Sequence, residues 1–155
     1  MKLGKLFVSL LICYAVAAAG SAVTTPFIAS WYPSLIKPPF TPPNAVFGPV
    51  WTILYTLMAI SLTLIWSKHK AKQTKEPLEW FAVQLGLNFL WSLVFFSWHQ
   101  VLWAFLVIVL LLLAIVQTIR VFLPLSKTAA YLLIPYVLWV SFAGILNLAI
   151  VLLNR

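Results

Sequence analysis

The sequence has almost no acid: Glu76 and Glu79 stand alone, with no aspartate, against ten lysines and arginines in 155 residues. Without carboxylate pairs, acid–base and hydrolytic catalysis have no candidate residues. A proton-coupled carrier, which would keep ionisable side chains inside the membrane, is equally poorly served. The one cysteine, Cys13, excludes a disulfide framework and any CxxC site. The two histidines lie in a lysine-rich connection (His69) and at a helix turn (His99), so no cluster of metal ligands is present. Charge of either sign is scarce, at 8% of residues where a soluble domain carries roughly a quarter.

What fills the chain instead is apolar: 64% of it, including eight tryptophans. The uncharged runs lie between Lys5 and Lys37, Lys37 and Lys68, Glu79 and Arg120, and Lys127 and Arg155. Each can hold the roughly 20 residues that a membrane helix needs. The expectation is one all-α domain over residues 1–155, an integral membrane bundle of five helices at about 6–25, 45–66, 78–98, 101–122 and 127–153. Basic excess in a soluble protein points to nucleic acid. Here the lysines flank membrane segments and set orientation, so no nucleic-acid partner is expected.

Met1 to Ala22 has the pattern of a secretion signal, with Lys2 and Lys5 before an apolar core and then small residues. It is read as a retained first helix that Pro26 ends. Five prolines between Trp31 and Asn44 make residues 26–44 a stiff, non-helical lid. Residues 67–77 read as a solvated connection, and Pro135 as a bend in the fifth helix. Eight of the basic residues fall on the side of the N-terminus, so positive-inside counting predicts a cytoplasmic N-terminus and an outward-facing lid.

Trp66, Trp80, Trp98 and Trp103 lie near span ends, where interfacial belts account for them. Trp51, Trp91 and Trp139 lie deeper. At helical spacing Trp51 shares a face with Tyr55 and Met58, Gln84 with Asn88 and Trp91, and Pro135 with Trp139, Ala143 and Leu146. Amides in hydrocarbon are costly unless they face the interior, so Gln84 and Asn88 should point inward. Ala82 and Gly86, on the opposite face of the same helix, form a small-xxx-small pair and a candidate homodimer seam.

Four blocks carry a resemblance over nearly the whole chain: Trp31-Tyr32 with Leu35, Lys37-Pro38 and Pro42-Pro43; Phe47-Gly48-Pro49-Val50-Trp51 with Leu54-Tyr55 and Met58; Gln84-Leu85 with Leu87-Asn88 and Trp91; Pro135-Tyr136 with Trp139, Phe142-Ala143 and Leu146-Asn147. Together they resemble the TspO/MBR family, the tryptophan-rich sensory proteins related to the translocator protein or peripheral benzodiazepine receptor. The resemblance implies a five-helix bundle, often dimeric, that binds porphyrins such as protoporphyrin IX and haem, and isoquinoline and benzodiazepine drugs. It also implies that Trp51, Asn88, Trp91, Trp139 and Ala143 line a pocket, with Tyr32 and Pro42 in its lid.

Three positions depart from the family pattern. Phe40 replaces a usual tryptophan, Val107 a frequent aspartate, and Leu148 and Ala149 stand where the cholesterol motif of animal members needs tyrosine, which argues against cholesterol. A porphyrin is a flat disc with propionates on one edge; Trp51, Trp139 and Tyr55 would offer stacking faces, and Asn88, Gln84 and Lys37 a polar rim. Neither histidine is placed as an axial ligand, so metal-free porphyrin is preferred and no cofactor or metal is required. The favoured function is a ligand-binding or sensory protein of a bacterial cell membrane. The alternatives are light-dependent porphyrin breakdown, with Trp51 and Trp139 as redox partners, and a tetrapyrrole or small-molecule transporter.

Overall fold

The structure, a computed structural model, describes residues 3–68 and 70–155. Helix α1 spans Leu3–Ile28, α2 Asn44–Lys68, α3 Ala71–Ser92, α4 Val101–Phe122, α5 Lys127–Tyr131 and α6 Ile134–Leu153. A π-helical turn, Leu93–Ser97, extends α3, and a single 3₁₀ turn, Tyr32–Ser34, sits in the lid. Five helical segments are long and apolar enough to cross a membrane: Leu3–Ile28, Asn44–Ser67, Ala71–Ser97, Val101–Phe122 and Lys127–Leu153. No strand occurs among the described residues.

Leu11, Leu102, Leu106, Leu113, Leu138 and Ile145 are exposed on the outside of the bundle. In water such a surface would aggregate; against lipid tails it is at equilibrium, and the polar side chains turn inward. Phe81 and Phe122 stack at 6.2 Å, with planes 6° apart, joining α3 to α4. Buried Ser61 donates from Oγ to the Ala129 carbonyl (2.7 Å), tying α2 to α5. At the same end Lys5 donates from Nζ to the Trp66 carbonyl (2.6 Å) and lies 5.0 Å over the Trp66 ring, a cation on the carbonyl end of a helix.

Two helix boundaries differ from the sequence reading. Helix α1 runs through Pro26 to Ile28. So near the C-terminus the ring deprives only the Ala22 carbonyl of its partner, and Ser30 Oγ then donates back to the Pro26 carbonyl (2.8 Å). Helix α3 starts at Ala71, so much of the supposed solvated connection is helical and Pro77 lies inside it. Ala71, Lys72, Gln73, Lys75 and Glu76 are good helix formers. Gln73 Oε1 also accepts from the Lys70 N–H (3.3 Å), which fixes the first turn. In the fifth span the helix breaks at Leu132–Leu133, immediately before Pro135, and Ser126 caps α5 by accepting from Ala129 N (3.3 Å).

Candidate ligand cavity

Beneath the lid lies a cavity of about 460 Å³, bounded by α1, α2, the end of α3 with its π turn, and α6. Its polar floor is built around Asn88. Tyr55 donates its hydroxyl to Asn88 Oδ1 (2.8 Å), and Asn88 Nδ2 donates to the Tyr136 hydroxyl (2.8 Å). Three helices are thereby joined through one buried amide. Trp51 rises from this floor, tilted on Tyr55 at 5.6 Å and edge-on to Tyr136 at 6.3 Å.

The opposite wall depends on the π turn. A regular helix aligns residues four apart, whereas i→i+5 winding also brings the fifth onto that side. Trp91, Phe95 and Phe96 therefore all reach the cavity. Trp91 Nε1 donates to Asn147 Oδ1 (3.1 Å), and Asn147 Nδ2 donates to the Val101 carbonyl (2.9 Å). The indole is thus oriented by a side chain that is itself anchored to the start of α4.

The roof is held from several directions. Tyr32 is buried against Phe95 (6.3 Å) and Phe96 (5.8 Å). Burial raises its phenol above the ordinary tyrosine pKa, so it stays neutral over the physiological range. Lys37 Nζ donates to the carbonyls of Tyr32 (2.9 Å) and Leu35 (3.0 Å) and lies 4.7 Å over the Tyr32 ring. Asn154, beyond α6, closes the clamp: its Oδ1 accepts from Ile36 N (3.0 Å) and its Nδ2 donates to Ile36 O (2.9 Å). Asn154→Ala is expected to speed hydrogen exchange of the Ile36 amide by about tenfold, matching the loss of roughly 1.4 kcal/mol of local protection, with the α2 core amides unchanged. Unaltered exchange at Ile36 would mean that the prolines alone hold the lid.

Tyr32, Trp51, Tyr55, Asn88, Trp91, Ala143 and Leu146 line the cavity together. Trp139 does not. Its ring lies on the far flank of α2, edge-on to Phe47 at 5.8 Å and tilted on Phe142 at 5.7 Å, beside a shallow outer groove with Val50 and Leu54. Its Nε1 is buried with no hydrogen-bond partner among the described residues. Gln84 is buried deeper than the floor, with Nε2 at 3.9 Å from Met58 Sδ and Oε1 unpartnered. Pro42 is half-buried in the lid away from the cavity wall, and Phe40 meets Phe142 edge-on at 6.4 Å. Ala82 and Gly86 are exposed on the outer face of α3.

Sequence reasoning missed Asn147, Phe95, Phe96 and the whole contribution of α1, which includes Tyr14, Ser21 and Thr25. Asn147 was recoverable as a third deep amide, four residues after Ala143. No charged side chain lines the cavity, and no cluster of three or more metal-ligating side chains occurs among the described residues. His99 takes a left-handed conformation (φ 55°) and stacks on Trp31 at 4.3 Å. His69 lies outside the described residues.

The fold and the cavity define a class: a small five-span membrane protein with an uncharged, aromatic-walled chamber under a stiff loop. The pattern of the TspO/MBR family matches residues 9–153. A tryptophan-rich protein TspO of Archaeoglobus fulgidus is 42% identical over 154 residues, covering 99% of each chain. The translocator protein of Ovis aries is 39% identical over 119 residues, 76% of this chain and 70% of that one. A tryptophan-rich sensory protein of Cereibacter sphaeroides is 33% identical over 141 residues, 89% of this chain and 87% of its own. The chain belongs to the TspO/MBR family and is an integral membrane protein.

Proposed function

We propose that the protein is a membrane receptor or sensor whose cavity binds a flat, largely apolar ligand of the porphyrin class, protoporphyrin IX being the type compound and isoquinoline or benzodiazepine drugs alternative occupants. The observation that carries this is the cavity's chemistry: indole, phenol and phenyl faces with two fixed amides and no charge. Aromatic faces gain by stacking on a polarisable disc, while ionised groups on the ligand must project to the cavity's edge. A volume of about 460 Å³ falls within the range of small-molecule sites, roughly 300 to 1,000 Å³. A relative that bears the name sensory protein supports the sensor part of this reading. In this reading the lysine-rich end, with Lys70, Lys72 and Lys75, faces the cytoplasm and the lid faces out, as positive-inside counting favours. The exposed Ala82 and Gly86 face is the seam of a homodimer.

Titration with protoporphyrin IX in detergent, read as tryptophan quenching, tests the site. Ala143→Phe, which fills part of the empty volume, is expected to weaken binding by about tenfold or more, a loss of roughly 1.4 kcal/mol. Quenching no greater than in empty micelles, or undiminished by that substitution, would remove the cavity from consideration.

A further inference from the structure

The lid is braced, yet the cavity is not sealed. Asn154 ties the lid to the end of α6, Lys37 braces it internally on the Tyr32 and Leu35 carbonyls, and Tyr32 is wedged against the π turn. The exposed lining residues lie on two neighbouring helices: Tyr14, Ala18, Ser21 and Thr25 of α1, and Asn44, Gly48 and Thr52 of α2. They lie within membrane-crossing segments, so this opening faces lipid.

The bonds around it explain the gap. Below it, the Tyr14 hydroxyl shares a hydrogen bond with Thr56 Oγ1 (2.8 Å) and donates to the Thr52 carbonyl (3.4 Å), fastening α1 to α2. Higher up, α1 is held to a different partner. The Val23 carbonyl accepts from Ser97 Oγ (3.0 Å) in the π turn, and Phe27 packs edge-on to His99 at 5.0 Å. Helix α1 is thus pinned to α2 at one level and to the α3–α4 connection at the next, leaving the α1–α2 seam open between.

The rim suits an apolar visitor. A Cβ placed on Gly48 would meet nothing within 4 Å. The hydroxyls satisfy one another or the backbone, Ser21 with Thr25 (3.3 Å) and Thr52 with the Gly48 carbonyl (2.9 Å). Such a rim neither demands water nor obstructs a disc sliding through it edge-first.

We infer that the cavity exchanges its ligand with the bilayer, through a lateral port between α1 and α2, and not with water beneath the lid. The inference rests on the cavity reading above and adds the path. It assigns the ligand to amphiphiles that dissolve in membranes.

The test is stopped-flow mixing of protoporphyrin IX with the full chain in lipid nanodiscs, following association by tryptophan quenching and dissociation by dilution into empty nanodiscs. Ser21→Phe and Gly48→Phe narrow the port from either side without changing the tryptophan count. Each is expected to slow both association and dissociation by about tenfold, as an added barrier of roughly 1.4 kcal/mol would. Ala22→Phe, exposed on α1 but outside the cavity lining, should exchange like the parent, and so should Asn154→Ala with its loosened lid. Faster dissociation in the port variants would mark those residues as mere contacts and overturn the port. Parent-like rates there, with acceleration in Asn154→Ala, would move the path under the lid. Saturable parental binding with either result would leave the cavity standing, whereas no parental binding would remove cavity and port together.

Discussion

Asn88→Leu is expected to destabilise the bundle by about 2 kcal/mol, more than any other single substitution around the cavity floor. The leucine removes two hydrogen bonds at once and leaves the hydroxyls of Tyr55 and Tyr136 buried without their partner. Hydrogen bonds between membrane helices average only about 0.6 kcal/mol by double-mutant cycle, so the lost bonds alone would give roughly half that effect. The remainder comes from stranding polar groups that water cannot reach. Tyr55→Phe and Tyr136→Phe, each removing one partner, should cost about 1 kcal/mol or less apiece. The sharper expectation is non-additive: in Asn88→Leu/Tyr55→Phe/Tyr136→Phe no orphan remains, and stability should exceed that of Asn88→Leu alone. Unfolding in mixed micelles with increasing denaturing detergent measures all four variants. A triple variant less stable than the single one would show that these groups act by shape and not by polarity.

The legibility of this molecule in its sequence follows the same physics. Five spans could be read because charge is costly in hydrocarbon, and the ten basic residues therefore sit at or between span ends. Asn88 was legible for the same reason, since an amide in such a run must find an interior partner. Helix starts were less legible. Pro77 looks like a stop, but a hydrogen-bonded first turn at Lys70 and Gln73 and a run of helix formers carry the chain through it. The π turn was not legible at all. Periodicity arguments assume constant winding, and the five residues Leu93–Ser97 break that assumption where they aim Phe95 and Phe96 together. Helix α1 escaped notice because its cavity face between Tyr14 and Ile28 consists of Ala, Gly, Ser and Thr, which read as packing residues while leaving room for a ligand.

Trp51→Leu is expected to weaken protoporphyrin IX binding by about tenfold, and Trp139→Leu by about twofold at most, with affinity read from the porphyrin absorbance so that loss of an indole does not bias the signal. Both tryptophans lie deep in their helices, and both belong to the blocks shared with the family. Helical spacing puts Trp139 on the side of α6 that carries Ala143 and Leu146, two cavity residues. The difference arises from what meets each residue. Ala143 and Leu146 look into the space beside Trp51, whereas the Trp139 indole packs against Phe47 and Phe142 beside the outer groove. Helix α2 passes between the two indoles, presenting Gly48, Trp51 and Tyr55 to the cavity and Val50 and Leu54 to Trp139. Replacing Trp51 removes a stacking face; replacing Trp139 removes a support of α2 and a buried N–H that has no partner among the described residues. The second loss should therefore fall on stability, with affinity nearly unchanged. Equal losses of affinity would mean that the Trp139 ring turns into the cavity when ligand is bound, its unpartnered N–H then finding an acceptor on the porphyrin edge.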